Sequence, residues 1–371
     1  MRIAIIGTRG IPAKYGGFET FAQEISQRLI SKGLDVTVFC PPSESPLGSF
    51  NGVKLKYLKI SKDTSPMKYY VESVSEAIKD KFDIVLMCGQ GGYAYVPQIF
   101  KRHKPIFITN TDGIEHRRTK WNKIVRLGVR FVGEMTSVFM SDYLVADSKG
   151  IKAYLEKEYS IIPKKIFTIE YGAEVLNEDD YSVDFISEYG VSSGGYYLVV
   201  SRLEPENNVS MILEGYKRSN TDKPLVVVGN LKGSSYVEEL RNIAKDSNIK
   251  LVGGVYNPEK LKALRLHCAA YLHGHSVGGT NPSLLEALGA GNIVIGHDNP
   301  FNCEVTDNCG FYFSNSQECA MAINSVDVLS ENQKNNYSTR AISRIINYYN
   351  WDRIAEEYIK MFNVVIKNKS K

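Results

Sequence analysis

Short apolar runs of strand length alternate with stretches of helical period along nearly the whole chain. Ile3–Ile6, Val36–Phe39, Ile84–Met87, Ile106–Thr109 and Tyr143–Ala146 are continuous rather than alternating, as expected of parallel strands buried on both faces. Between the first two, Phe18, Phe21, Ala22, Ile25 and Leu29 share one helical face, and Gly33 stops the helix. Residues 175–195, rich in Asp, Glu, Ser and Gly, read as a linker. The pattern then resumes with Tyr197–Ser201, Leu225–Val228, Ile249–Val252, Tyr271–His273 and Ile293–Gly296. This alternation predicts an α/β fold of two doubly wound, Rossmann-like domains, with ligands at the strand carboxyl ends and a central cleft if the two halves face each other. The boundaries follow as 1–175, 190–345 and a closing segment 346–371. In that last segment Trp351, Ile354, Ala355 and Tyr358 recur at helical spacing, and the helix is expected to cross back to the first domain.

Composition narrows the function classes. A chain of 371 residues suits two cores rather than one. The net charge of +4 excludes a strongly cationic nucleic-acid binder but leaves room for a local basic patch. The apolar run after Met1 is too short for a signal peptide, and no stretch reaches the roughly 18 apolar residues of a membrane span. The expectation is a cytoplasmic protein, soluble or peripheral on the inner membrane face. The six cysteines (Cys40, Cys88, Cys268, Cys303, Cys309, Cys319) then read as reduced core residues. Cys303 and Cys309 lack a second Cys/His pair at zinc-like spacing, so no metal site is expected.

Four loops carry candidate chemistry, each at the end of an expected strand. The first runs from Gly7 to Thr20 and contains Gly16-Gly17 at a helix start. Bare amides there suit an anion, and equally a tight turn. The loop does not spell Gly-x-Gly-x-x-Gly, which weakens a dinucleotide reading. The second is Ser201-Arg202-Leu203-Glu204-Pro205-Glu206-Asn207-Asn208, where Arg202 suits bidentate contact with a diphosphate or, alternatively, pairs with Glu204 or Glu206. The third is His273 to Gly291. Gly279, Thr280 and Asn281 offer amides to phosphate oxygens, and Pro282 opens a helix. Glu286 stands in that helix among apolar neighbours and needs a partner, either a ribose diol or a backbone group or Arg of the protein. His273 and His275 share a face but lack a further ligand for a metal. The fourth is Thr109 to Arg118, with titratable Asp112, Glu115 and His116. It continues into a basic stretch of Arg117, Arg118, Lys120, Trp121, Lys123, Arg126 and Arg130 that suits pyrophosphate or anionic headgroups, or is simply a solvated helix face.

These four segments, with the closing Asn350-Trp351 helix, resemble family 4 glycosyltransferases of the GT-B fold across essentially the whole chain. More narrowly they resemble the bacterial rhamnosyltransferases of cell-surface polysaccharide synthesis. The family's Glu-x7-Glu signature is half present: Glu286 matches the second glutamate, and the first position is Gly278. Arg202 matches the phosphate-binding arginine, while the lysine usual five residues later is Asn207. The resemblance implies a retaining transfer of L-rhamnose from dTDP-rhamnose to a lipid-linked saccharide, without a metal cofactor. It implies donor contacts from Gly16, Gly17, Arg202, Asn207, Gly279, Thr280, Asn281 and Glu286. Acceptor contacts would come from Asp112, His116 and Arg117, with Asp112 and Arg202 at the chemistry. Competing readings are a nucleotide-sugar epimerase of similar fold and a non-catalytic sugar-binding subunit, with a dehydrogenase the weakest.

Overall fold

The computed structural model describes residues 1–14, 16–98, 104–111, 113, 123–159, 165–177 and 180–369. The chain divides into two compact units. One holds the described residues up to Tyr171 and from Trp351 onward, the other Gly172–Asn350.

The first unit is built on eight strands: β1 (Arg2–Ile6), β2 (Asp35–Cys40), β3 (Ser49–Phe50), β4 (Val53–Tyr57), β5 (Ile84–Cys88), β6 (Ile106–Asn110), β7 (Tyr143–Ala146) and β8 (Ile166–Thr168). Their order is β3-β4-β2-β1-β5-β6-β7-β8, parallel throughout except for the β3–β4 pair. The chain winds outward from β1 toward β4 and then outward on the other side from β5, so the order reverses between β1 and β5. Open α/β sheets bind ligands at such switch points, beyond the strand carboxyl ends.

Helix Gly17–Ser31 covers this sheet with Phe21, Ala22, Ile25 and Leu29 buried. It stops where expected. Gly33 takes φ 84°, its amide donates to the Ile30 carbonyl, and the Leu34 amide donates to that of Leu29. A left-handed residue is needed for that closure, which is why glycine stands there. The final helix, Trp351–Lys369, also belongs to this unit. It buries Trp351, Ile354, Tyr358 and Phe362, and Phe21 meets the Tyr358 ring at 5.4 Å. Asn110, at the end of β6, donates to the Tyr358 hydroxyl at 3.2 Å.

The second unit carries six parallel strands: β9 (Tyr197–Val200), β10 (Leu225–Val228), β11 (Ile249–Gly253), β12 (Ala270–His273), β13 (Val294–His297) and β14 (Gly310–Phe313). Their order is β11-β10-β9-β12-β13-β14, with the reversal between β9 and β12. The stretch read as a linker departs from expectation. Helix Asp184–Ser187 buries Ile186 in a cluster with Tyr196, Leu198 and Leu264, and Lys260 pairs with Glu188 at 2.7 Å. Its polar composition masks interleaved Tyr181, Phe185, Ile186 and Tyr189, and these anchor it to the second unit. Among the described residues, no helix is long and apolar enough to cross a membrane.

Candidate functional site

In the second unit the two loops singled out from the sequence emerge from β9 and β12, the pair flanking the switch point. They interlock. Asn208 adopts a left-handed conformation (φ 48°), which Asn tolerates better than most side chains, and its amide donates to the Gly274 carbonyl at 2.8 Å. Ser276 donates both its backbone amide (3.0 Å) and its hydroxyl (2.8 Å) to the Glu206 carbonyl. The approach is so close that a Cβ on Gly274 would lie 2.2 Å from the Asn207 carbonyl oxygen. From the other side, Asn299 and Asn302 donate side-chain amides to the His275 carbonyl at 3.0 and 2.9 Å. The loop after β12 is therefore fixed at both flanks by polar contacts to its backbone.

Beyond those anchors the loop is open. Gly278 has φ 137° and nothing within 4 Å of where a Cβ would stand. Gly279 is half-buried and Thr280 buried. Asn281 caps helix Pro282–Gly289, its Oδ1 accepting from the amide and hydroxyl of Ser283 at 3.0 and 2.9 Å, and Pro282 takes the first helical position.

Arg202 is 44% exposed beyond β9, with Glu204 at 3.8 Å. That contact is long, so the guanidinium is available to an anion. Asn207, expected to touch the donor, is instead buried and donates its amide to the Arg202 carbonyl at 2.7 Å. A short buried amide has to find a partner nearby, and here it stabilises the loop that carries Arg202. Glu286 has an arginine partner: Oε2 lies 2.5 Å from Arg265 Nη2. Of the two side chains Glu286 is 40% exposed and Arg265 only 4%. Of the partners left open for Glu286, the structure supplies the arginine, and part of the side chain stays exposed.

His273, at the end of β12, is 1% exposed, and neither ring nitrogen has a hydrogen-bond partner among the described residues. Its ring stacks on that of His275, centroids 4.3 Å apart and 10° from parallel. Burial first, then the neighbouring His275 and His297, pushes its pKa well below the ordinary histidine value, so it is neutral. Burial lowers that of His297 as well. Among the described residues no three His, Cys, Asp or Glu side chains group so as to hold a metal.

In the first unit the Gly7–Thr20 loop leaves β1 beside β5. Gly16, at φ 116°, precedes helix Gly17–Ser31, and no side chain among the described residues caps that helix start. Glu19 folds back over the turn. Its carboxylate accepts from the Arg9 amide at 2.8 Å, and its Oε2 would lie 2.1 Å from a Cβ on Gly16. Gly16-Gly17 forms the tight turn into the helix, with the Glu19 carboxylate against it. Asp112, Glu115, His116 and Arg117 lie outside the described residues, as do Arg118, Lys120 and Trp121. The backbone on either side of Asp112 is held by Gln90, whose amide donates to the carbonyls of Thr111 and Gly113 at 3.4 Å.

Residues 191–344 match the family of glycosyl transferases group 1, and residues 1–174 match a domain of unknown function, DUF1972. Residues 191–344 thus carry a glycosyl transferases group 1 domain, and the chain has the two-sheet fold of GT-B glycosyltransferases. Sucrose-phosphate synthase from Thermosynechococcus elongatus shares its fold at a TM-score of 0.79, with 13% identity over 99% of both chains. A glycosyltransferase from Rickettsia africae gives 0.72, with 16% identity over 99% of both chains. HepE from Anabaena, in complex with UDP, gives 0.75 with 13% identity, covering 98% of this chain and 100% of HepE. At such identities the likeness is one of fold. No curated protein matches the chain. Sequence reasoning singled out Arg202 and the loop after β12, which the structure sets beyond the strands flanking the switch point. It passed over Asn208, Asn299 and Asn302, which fix those loops, and Arg265, which holds Glu286. Arg265 left one signal: with Leu261, Leu264 and Cys268 it shares the buried face of helix Pro258–Leu266 and the residue pair after it, a place where a lone charge demands a partner.

Proposed function

We propose that this protein is a glycosyltransferase that moves L-rhamnose, with retention, from dTDP-rhamnose to a lipid-linked saccharide during cell-surface polysaccharide synthesis. The observation that carries the reading is the interlocked pair of loops beyond β9 and β12, which presents Arg202, the amides around Gly279–Asn281 and the exposed face of Glu286 from one rigid frame. In this reading the amides and Arg202 receive the donor diphosphate and Glu286 meets the sugar of the nucleoside. The amides at Gly16-Gly17 would add to the diphosphate contacts, and Asp112, His116 and Arg117 would receive the acceptor.

The bond from the anomeric carbon to the diphosphate oxygen breaks, leaving an oxocarbenium-like centre. The acceptor hydroxyl oxygen bonds to that carbon on the same face, and its proton passes to the departing phosphate oxygen. Arg202 and the fixed amides stabilise the charge that builds on the leaving group, which supplies the main catalytic effect without requiring a metal. Support for action at an anionic membrane face comes from Lys123 and Arg126 beside exposed Ile124, Leu127 and Phe131. The resemblance to rhamnosyltransferases supports the donor, and the UDP complex of HepE makes a uridine donor its main competitor.

The test is turnover. The purified protein is incubated with dTDP-rhamnose and a lipid-pyrophosphate saccharide, and the product linkage is read by nuclear magnetic resonance. A new rhamnoside with the donor's anomeric configuration supports the proposal. Transfer only from a uridine or guanosine sugar overturns the donor, and an inverted linkage overturns the mechanism. The absence of a carboxylate at Gly278 favours one second reading, a sugar-binding subunit without activity. Nucleotide binding with no transfer to any acceptor would select it.

A further inference from the structure

The pairing of Glu286 bears on which nucleosides the donor site accepts. A carboxylate that grips both hydroxyls of a ribose does so with its two oxygens side by side, one to each hydroxyl. In Glu286 one of these is already engaged. Oε2 stands 2.5 Å from Arg265 Nη2, and Glu286 is the only carboxylate within ion-pair distance of that guanidinium among the described residues. Arg265 is buried on helix Pro258–Leu266, and its Nε has no hydrogen-bond partner among the described residues. Releasing Glu286 would strand a buried positive charge, so the contact persists when a ligand arrives. Oε1 has no partner among the described residues, and the side chain is 40% exposed.

We propose that Arg265 is a specificity-determining residue: by occupying Oε2 of Glu286 it leaves one oxygen for one hydroxyl, and so makes the site indifferent to the nucleoside 2′-hydroxyl. This rests on the proposed contact between Glu286 and the donor nucleoside. A site built around a hydrogen bond to a hydroxyl rejects a ligand lacking it, because a buried polar group is then left unpaired. Here the oxygen that would meet the second hydroxyl is already charge-paired with Arg265 and is the weaker acceptor for it, so a deoxynucleotide forfeits little. Arg265 acts through Glu286 and has no part in bond making.

The experiment compares nucleotides that differ only at the 2′ position, namely dTDP against ribothymidine 5′-diphosphate and dUDP against UDP. Dissociation constants are measured calorimetrically on the full chain. For the unaltered protein the two members of each pair should bind within about threefold of each other. A preference of about tenfold or more for the ribonucleotide would overturn the proposal. Arg265→Gln frees Oε2, and if it folds it should shift the ratio toward the ribonucleotide by about tenfold. Arg265→Lys keeps an ammonium near that oxygen and should restore the original ratio. A folded Arg265→Gln protein with an unchanged ratio overturns the role of Arg265. Should that variant fail to fold, the unaltered protein still decides through its own ratio. If none of the four nucleotides binds, the nucleotide-sugar reading itself falls, an outcome distinct from binding with the wrong ratio.

Discussion

The side-chain amide of Asn208 reaches the Gly274 carbonyl at 2.8 Å and ties the end of β9 to the end of β12. Two things make Asn208 suited to that position: the hydrogen bond and its left-handed backbone. Asn208→Ala loses both and should cost about 2 kcal/mol. Asn208→Gly keeps the backbone conformation and loses only the hydrogen bond, at about 1 kcal/mol. Urea unfolding of the two variants separates these contributions, and equal losses would deny the backbone any share.

Gly274 has no room for even one more carbon, because its neighbour is a backbone oxygen that cannot rotate away. Gly274→Ala should force the loops apart and lower kcat/KM by about a hundredfold, as misplacement of binding groups by an ångström does. Steady-state kinetics with the identified donor is the check. Gly278→Ala meets no neighbouring atom among the described residues, so any loss of activity there reports the strain of a side chain at φ 137° rather than a clash.

Arg202 lies outside the core, and its ion pair with Glu204 is long. Arg202→Ala should leave stability within about 0.5 kcal/mol, as surface changes do. Turnover should fall by about 100- to 1,000-fold if the guanidinium meets the leaving diphosphate. Unchanged turnover in a folded variant would remove Arg202 from the reaction.

His273 carries a pH signature. Its folded pKa is depressed by burial, with His275 and His297 facing it, while the unfolded chain titrates near 6.5. Below that value the unfolded state binds a proton that the folded state refuses. Stability is therefore retained above pH 6.5 and declines as pH falls below it, by up to about 1.4 kcal/mol per pH unit from this group. Unfolding free energies at pH 7.5 and 5.5 should converge in His273→Phe relative to the unaltered protein. An identical drop in both would assign the acid sensitivity elsewhere.

The strands most legible in the sequence were those buried on both faces, such as β1 and β10, whose apolar runs are continuous. Those overlooked lie toward sheet edges. Strand β4 reads Val-Lys-Leu-Lys-Tyr, with its two lysines on one face and Lys54 exposed, and β8 has three residues. The site was legible where chemistry and position coincide, as at Arg202, which leaves a strand end. It was illegible where partners are distant in sequence. Arg265 and Glu286 sit on different helices, and only the folded unit brings them to 2.5 Å. Asn207 misled because a residue type suited to ligands is equally suited to holding its own loop.

The chain quits its first unit after Tyr171 and returns to it only at Trp351. During synthesis, the whole of Gly172–Asn350 emerges from the ribosome before the helix that completes the earlier-made sheet. The later-born unit is thus the first whose sequence is complete, reversing the usual order of domain maturation. A fragment ending near residue 174 would present the Phe21 side of helix Gly17–Ser31 without Trp351 and Tyr358 to cover it. Any attempt to dissect the protein has to carry the last helix along, by circular permutation or by supplying it in trans.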